Sequence, residues 1–148
     1  MNELKSNLSM KKLVFILPLF LILFSCEVEG DLTHNPELSA PIPESTPAIF
    51  IGNFTPTSGI TVTGSAKIYL NTDKNEVQLE NFSISNGPDL KVYLSKTATP
   101  SDFVNLGNLT SSRVYKIPSP VDVSAYKYVL IHCQQYNHLF AIAQLSKN

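Results

Sequence analysis

From residue 48 onward, short runs of alternating apolar and polar residues are separated by turn-forming residues. A period of two places successive side chains on opposite faces of a strand. A single helical turn at 122–126, capped by Asp122, is the only helical signal in this region. The pattern predicts an all-β fold, a β-sandwich of about seven to eight short antiparallel strands. The predicted strands are 49–54, 60–70, 76–84, 90–95, 114–117, 128–133 and 139–145.

The alternation is interrupted within two of these strands. Gly64 in the second strand indicates a bulge or a bend. In the third strand, Val77 and Leu79 share one face, whereas Phe82 and Ile84 fall on the other face. This change of phase at Phe82 indicates a strand that passes from one environment into another.

The sequence predicts the structure of two of the connections between strands. Residues 85–89 predict a tight hairpin, in which Gly87 supplies a positive φ, Pro88 a fixed φ and Asp89 a hydrogen bond to the turn backbone. We prefer this structural explanation of the turn to a ligand-binding loop. Residues 96–112 predict a longer loop, with Leu106 and Leu109 docked on the core.

The N-terminal segment is typical of export. Met10, Lys11 and Lys12 precede an unbroken apolar run of twelve residues, 13–24. A membrane span needs about 20 residues, so this run fits a secretory signal better. A short uncleaved membrane anchor is the alternative.

The run ends in Leu23-Phe24-Ser25-Cys26, which resembles the lipobox of bacterial lipoproteins. The resemblance implies lipidation of the Cys26 sulfur, cleavage before Cys26 and acylation of the new amino group. A Cys26–Cys133 disulfide is the alternative that we favour less. We therefore predict a lipoprotein signal peptide at 1–25, the lipidated Cys26 with a proline-rich tether at 26–47, and a β-sandwich domain at 48–148.

Charge restricts the partners and the location. Removal of 1–25 leaves eight basic and eleven acidic residues, a net charge of −3, with no basic block. Nucleic-acid binding therefore has no support. Glu27, Glu29 and Asp31 follow the anchor point and resemble the signal that exports some lipoproteins to the outer face of the outer membrane. We expect a lipid-anchored protein of a bacterial cell envelope, at the outer membrane, with its leaflet left open.

Between residues 48 and 146, seven stretches occur in a characteristic order: 52–54, 64–66, 79–82, 86–94, 105–109, 115–118 and 133–141. The most specific element is Gly87-Pro88-Asp89-Leu90 before a strand, combined with a lone cysteine near the C-terminus. In this order the stretches resemble the DM-thirteen domain. That extracellular module is named as an electron-transfer domain and occurs as lipoproteins in bacteria.

The resemblance implies a redox centre at Cys133, either as a bare thiol or as a holder of a prosthetic group such as haem. His132 and His138 are the candidate companions of Cys133 in binding a cofactor. The sequence departs from the family at His132, where tryptophan is common, and at 55–59, where an early histidine is missing. The envelope redox partner is not identifiable from the sequence.

Other chemistry has little support in the residues. Copper is disfavoured because both methionines, Met1 and Met10, are removed with the signal. No Cys-x-x-Cys-His motif is present, which excludes a c-type haem, and no metal site is predicted. No hydrolase or nucleotide-binding motif occurs either, and we do not predict an enzyme.

The alternative function is a non-catalytic binding or structural envelope lipoprotein with Cys133 as core packing. In a strand at 128–133, His132 and Cys133 point to opposite faces, which argues against a ready-made site formed by this pair.

Overall fold

The computed structural model describes residues 42–43, 45–71 and 74–148. The predicted signal at 1–25, Cys26 and the tether as far as residue 41 lie outside the described residues. Within them the chain forms strands joined by loops and one short 3-10 helix, Val123–Ala125, capped by Asp122 as expected. The all-β prediction is therefore confirmed. The strands are β1 (Phe50–Pro56), β2 (Val62–Asn71), β3 (Lys74–Ile84), β4 (Leu90–Ser95), β5 (Phe103–Asn108), β6 (Val114–Lys116), β7 (Tyr128–Cys133), β8 (His138–Gln144) and β9 (Ser146–Lys147).

The strands follow the spatial order β5-β4-β7-β8-β1-β2-β3-β6, and every pair is antiparallel. β1 belongs to both layers, because Phe50–Asn53 pair with β2 while Phe54–Pro56 pair with β8. β9 adds a short pairing to the start of β1. The path bends into two packed layers, β1-β2-β3-β6 and β5-β4-β7-β8, and the edge strands β5 and β6 approach each other.

The core lies between the two layers. Alternate residues of β2 and β3 face alternate residues of β4, β7 and β8, as expected for a sandwich. None of the described residues forms a helix that is long and apolar enough to cross a membrane. The buried core cluster consists of Phe54, Ala66, Ile68, Val77, Leu79, Val92, Leu94, Tyr115, Ile117, Val129, Ile131, Cys133, Phe140, Ala141 and Ala143.

A β-bulge explains the change of phase in β3. Thr63 pairs with Ser83 and Ser65 pairs with Glu80, so two residues of β3 lie opposite Gly64 alone. Asn81 takes up the extra length with a φ of 48°. After the bulge, Phe82 packs against the core, as Leu79 does before it.

The predicted loop at 96–112 is only partly correct. Leu106 and Leu109 do pack against the core, but residues 103–108 form β5, an edge strand paired with β4. The sequence of β5 does not resemble a strand, because Asn105 and Asn108 are polar and position 107 is a glycine. In the structure Gly107 has a φ of 117°. Backbone pairing with β4, rather than side-chain propensity, forms the strand.

The predicted hairpin at 85–89 is wrong. β3 and β4 do not pair, so these residues carry the chain from one layer to the other. Gly87 has no positive φ, and its role is steric: a Cβ there would lie 2.6 Å from Leu90 Cδ2 and 3.1 Å from Phe140 Cζ. Asp89 forms an ion pair with Lys91 at 2.7 Å. The segment therefore packs closely over Leu90 and Phe140 at one end of the core.

Candidate functional site

Cys133 is a free cysteine at the last position of β7. Its relative exposure is 0%, and it belongs to the core cluster with Val129 and Ile131. This placement follows from the alternation along β7, because every second side chain of the strand faces the core. The next five residues, 134–138, are all exposed. The thiol is therefore enclosed, but it lies at the boundary between the core and a solvent-exposed turn.

The neighbouring strands place two side chains beside Cys133. Leu90 of β4 and His138 of β8 are its direct partners across the sheet. Directly opposed residues project to the same face, so these two side chains flank the cysteine on the core side. His138 is exposed at the rim, where its ring contacts Phe140 edge-on at 5.4 Å.

His132 projects to the outer face of the same sheet. Its ring stacks on Tyr93 at 5.4 Å, and Tyr93 in turn stacks on Phe103 at 4.1 Å. His132 is 5% exposed, and its Nδ1 atom has no hydrogen-bond partner in the described part of the chain. Position 132 therefore accommodates a planar ring that stacks on Tyr93.

The three predicted cofactor residues do not converge. Cys133 and His138 share the core face, whereas His132 lies on the opposite face, as the alternation of the sequence indicates. Two cavities, of about 490 and 670 Å³, open on the described surface, and Cys133 lines neither. Within 42–43, 45–71 and 74–148, no three His, Cys, Asp or Glu side chains are grouped to hold a metal ion. These residues do not fit a haem or metal ligated by Cys133.

Burial lowers the pKa of His132 below its ordinary value of 6.5, and the nearby His138 lowers it further, while a hydrogen bond with Asn137 opposes the shift. The folded state therefore favours the neutral imidazole. Unfolded histidine takes up a proton near pH 6.5, so the folded state loses stability as the pH falls below that value.

We expect the free energy of unfolding to fall between pH 7.5 and 5.0 in the native protein, and to fall much less in His132→Phe. Urea unfolding at the two pH values measures the difference. Phenylalanine keeps the stack on Tyr93 and removes the orphaned nitrogen. His138→Gln is the matched control and should retain most of the loss. Glu80, whose pKa is also lowered, protonates below its ordinary 4.5 and contributes outside this range. If His132→Phe loses as much free energy of unfolding as the native protein between these pH values, His132 is not the cause of the pH dependence.

The sequence did not indicate a polar cluster on the outer face of β2 and β3. Glu80 accepts a hydrogen bond from Tyr69 at 2.7 Å and forms an ion pair with Lys67 at 2.5 Å. Burial alone would raise the pKa of Glu80, but the hydrogen bonds from Lys67 and Tyr69 lower it. Burial and the Glu80 carboxylate raise the pKa of Tyr69. Alternation places these three residues on one side of paired strands, but only the register brings them into contact.

The comparisons with known proteins bear on the whole domain. The model of the family described as "Electron transfer DM13" matches residues 53–145, which extend from β1 to the end of β8. The search of curated proteins found no match, and neither did the search of solved structures. The matched segment contains Cys133 and both histidines of its hairpin. The chain belongs to the electron-transfer DM13 family.

Proposed function

We propose that this chain is a lipid-anchored, extracytoplasmic electron-transfer domain of a bacterial envelope, in which the Cys133 thiol exchanges electrons with a disulfide partner. The observation that carries the proposal is the position of Cys133. It is a free thiol at the end of β7, next to an exposed turn, in a domain of an electron-transfer family.

The burial of the sulfur requires that the end of the sandwich opens before any reaction. Strand ends open locally with less free energy than the whole domain needs to unfold. Leu90 is the partner of Cys133 across the sheet, and the Asp89 carbonyl accepts a 3.0 Å hydrogen bond from the Gln134 amide that follows Cys133. We therefore take Leu90 and the 85–89 segment, in which Gly87 lies close to Leu90 and Phe140, as the cover over this end. Opening here exposes Cys133 while the remaining strands of both layers stay paired.

The exchange balances as three sequential steps. The Cys133 thiol loses its proton, and the thiolate attacks one sulfur of the partner disulfide. The partner's S–S bond breaks, a mixed disulfide forms, and the second partner sulfur leaves as a thiolate that takes up a proton. A thiolate of an envelope dithiol reductant then attacks the Cys133 sulfur of the mixed disulfide, and the partner's remaining sulfur leaves as a thiolate that takes up a proton. The second thiol of the reductant loses its proton and attacks the new mixed disulfide, which closes a disulfide in the reductant and returns the Cys133 thiol, so two electrons pass from the dithiol to the partner disulfide. The chain has no third cysteine, and lipidated Cys26 has no free thiol, so both resolving thiols belong to the reductant.

Native-state labelling tests this proposal. The mature, lipidated protein in detergent is mixed with a disulfide reagent that releases a coloured thiolate, over a series of urea concentrations below the unfolding transition. We expect labelling of Cys133 roughly a hundredfold or more slower than in the unfolded protein, because the thiol is exposed only in the open state. The rate should depend little on urea, because local opening exposes little surface.

Two glycines give a matched pair of variants. Gly87→Ala places a methyl group against Leu90 and Phe140, so it should loosen the cover and speed labelling. Gly59→Ala has no atom within 4 Å of the added Cβ and should leave the rate unchanged. If the logarithm of the labelling rate rises with urea concentration as steeply as global unfolding predicts, the proposal that local opening exposes Cys133 is refuted.

The second candidate function is a non-catalytic envelope lipoprotein with Cys133 as packing. The 0% exposure of Cys133 favours it, because buried free cysteines commonly serve as small hydrophobic residues. Under this alternative, labelling follows global unfolding only. Cys133→Ala would also retain electron exchange with the partner, whereas the first proposal requires its loss in a stably folded variant.

A further inference from the structure

One end of the sandwich carries a cavity that Cys133 does not line. It measures about 490 Å³, a size that suits a small ligand, and we call it the end cavity. Its walls are residues 83–90, which link the layers, and residues 108–111 with Arg113, which lead from β5 into β6.

Arg113, the single arginine of the chain, is fixed at the wall of this cavity. Its φ of 60° is uncommon for a residue with a side chain, and its carbonyl accepts a 2.8 Å hydrogen bond from the Leu79 amide of β3. The guanidinium lies 5.0 Å from the centre of the Phe82 ring, which packs edge-on against Phe54. The core thus supports one face of the guanidinium.

Within the part of the chain that the structure describes, the hydrogen-bonding groups of this guanidinium have no protein acceptor. Arg113 takes no part in the ion pairs Lys67–Glu80, Lys91–Asp89 and Lys96–Asp102. No hydrogen bond from the Arg113 side chain occurs in the described part of the chain either. Stacking on an aromatic ring leaves the N–H groups in the guanidinium plane available for a bidentate oxyanion.

The rest of the end cavity suits an anion. Asp89, the one acidic side chain among the described residues that line it, is neutralised by Lys91 at 2.7 Å, so Arg113 gives this wall a net positive charge. Ser83 and Asn86 also line the cavity, and their side chains have no hydrogen-bond partner among the described residues. They are therefore free to donate to a ligand oxygen.

We propose that the end cavity binds a small molecule through its oxyanion group, a carboxylate or a phosphate, held by Arg113 with Ser83 and Asn86. Arg113 also borders a second cavity of about 670 Å³. There two polar side chains are already engaged: Glu80 is bound by Lys67 and Tyr69, and Gln78 accepts a hydrogen bond from the Ile42 amide at 3.3 Å. The end cavity instead places two exposed donors, Ser83 and Asn86, at the same wall as Arg113 and the ion pair of Asp89 with Lys91, and the proposal therefore locates the ligand there.

A titration followed by NMR tests the site directly. The single arginine gives one side-chain Nε–H signal in the isotope-labelled mature protein in detergent. Succinate and inorganic phosphate are the two probes, at an ionic strength held constant with chloride. We expect a saturable shift of this signal. A response to succinate alone identifies a planar carboxylate site, and one to phosphate alone a tetrahedral oxyanion site. A shift that does not saturate with either probe would overturn the proposal.

Variants locate the site. Arg113→Lys keeps the charge but loses the bidentate geometry, so the dissociation constant, followed through backbone amide shifts, should rise by about tenfold or more. Ser83→Ala should weaken binding, whereas Gln78→Ala, which alters only the second cavity, should leave it unchanged. The amide spectrum of each variant reports whether it is folded. Weaker binding in Gln78→Ala but not in Ser83→Ala would place the ligand elsewhere and refute the end cavity. The titration reads the Arg113 signal and the labelling reads the Cys133 thiol, so either result can fail while the other stands.

Discussion

Replacing Gly64 with alanine will destabilise the domain by about 3 kcal/mol or more, a large part of the stability of a typical small domain. Gly64 has a φ of 98° and lies opposite the bulge in β3. A Cβ there would collide with the Glu80 carbonyl oxygen, and it would lie 2.8 Å from both the Asn81 carbonyl oxygen and the Phe82 Cα. These are backbone atoms of the paired strand, so no side-chain rotation relieves the contact.

Thermal and urea unfolding measure this effect, and Gly59→Ala is the matched control. Gly59 also has a positive φ, 79°, but no atom lies within 4 Å of an added Cβ. Its substitution should therefore cost only the backbone strain, about 1 kcal/mol. We expect Gly64→Ala to lower the melting temperature by about 12 °C or more and Gly59→Ala by roughly a third of that. Equal losses in the two variants would contradict a steric role for the bulge.

The second large effect concerns the proposed lipid anchor. Cys26→Ser should abolish acylation of the protein, because acyl transfer requires the Cys26 sulfur. Labelling with a tagged fatty acid and intact mass spectrometry measure the outcome. The native protein should carry label and have the mass of residues 26–148 plus its acyl chains. The variant should carry no label and retain the mass of the unprocessed signal segment.

Cys133→Ala is the matched control for the anchor, since it removes the other cysteine of the chain. It should keep both the label and the processed mass. Label that persists in Cys26→Ser would refute lipidation at this residue. A native protein of unprocessed mass without label would instead support the short uncleaved membrane anchor.

The bulge also connects the fold to the proposed oxyanion site. It turns Phe82 toward the core, where the ring packs against Phe54 and supports the guanidinium of Arg113. A side chain at position 64 would push on the backbone at Phe82. One glycine in β2 therefore supports both the pairing of two strands and the position of a charged side chain.

Local signals in the sequence were sufficient for several elements. The strands at 90–95 and 128–133 match β4 and β7, because their apolar runs are short and rich in residues that fit a buried strand. Asp122 caps its helical turn through a 3.0 Å hydrogen bond from the Ser124 amide. The opposite orientation of His132 and Cys133 follows from the period of a strand alone.

Elements that depend on distant pairing were not predictable in the same way. β5 exists because β4 offers it a partner, and its own residues resemble a loop. The 85–89 segment was misread because a turn-rich sequence does not reveal whether the flanking strands pair with each other or belong to different layers. Register and layer assignment arise from contacts between residues far apart in the chain, which a local pattern does not encode.

The sequence by itself determined the fold class, most strand positions, and the presence of a lone cysteine beside a histidine in an electron-transfer family domain. Only the tertiary structure decided that Cys133 is enclosed between Leu90 and His138, and that Arg113 lies over Phe82 with no acidic partner among the described residues. The physical reason is the same in both cases. A side chain's burial and charge environment depend on what the second layer and the loops place over it, and that placement is fixed only when the two sheets pack.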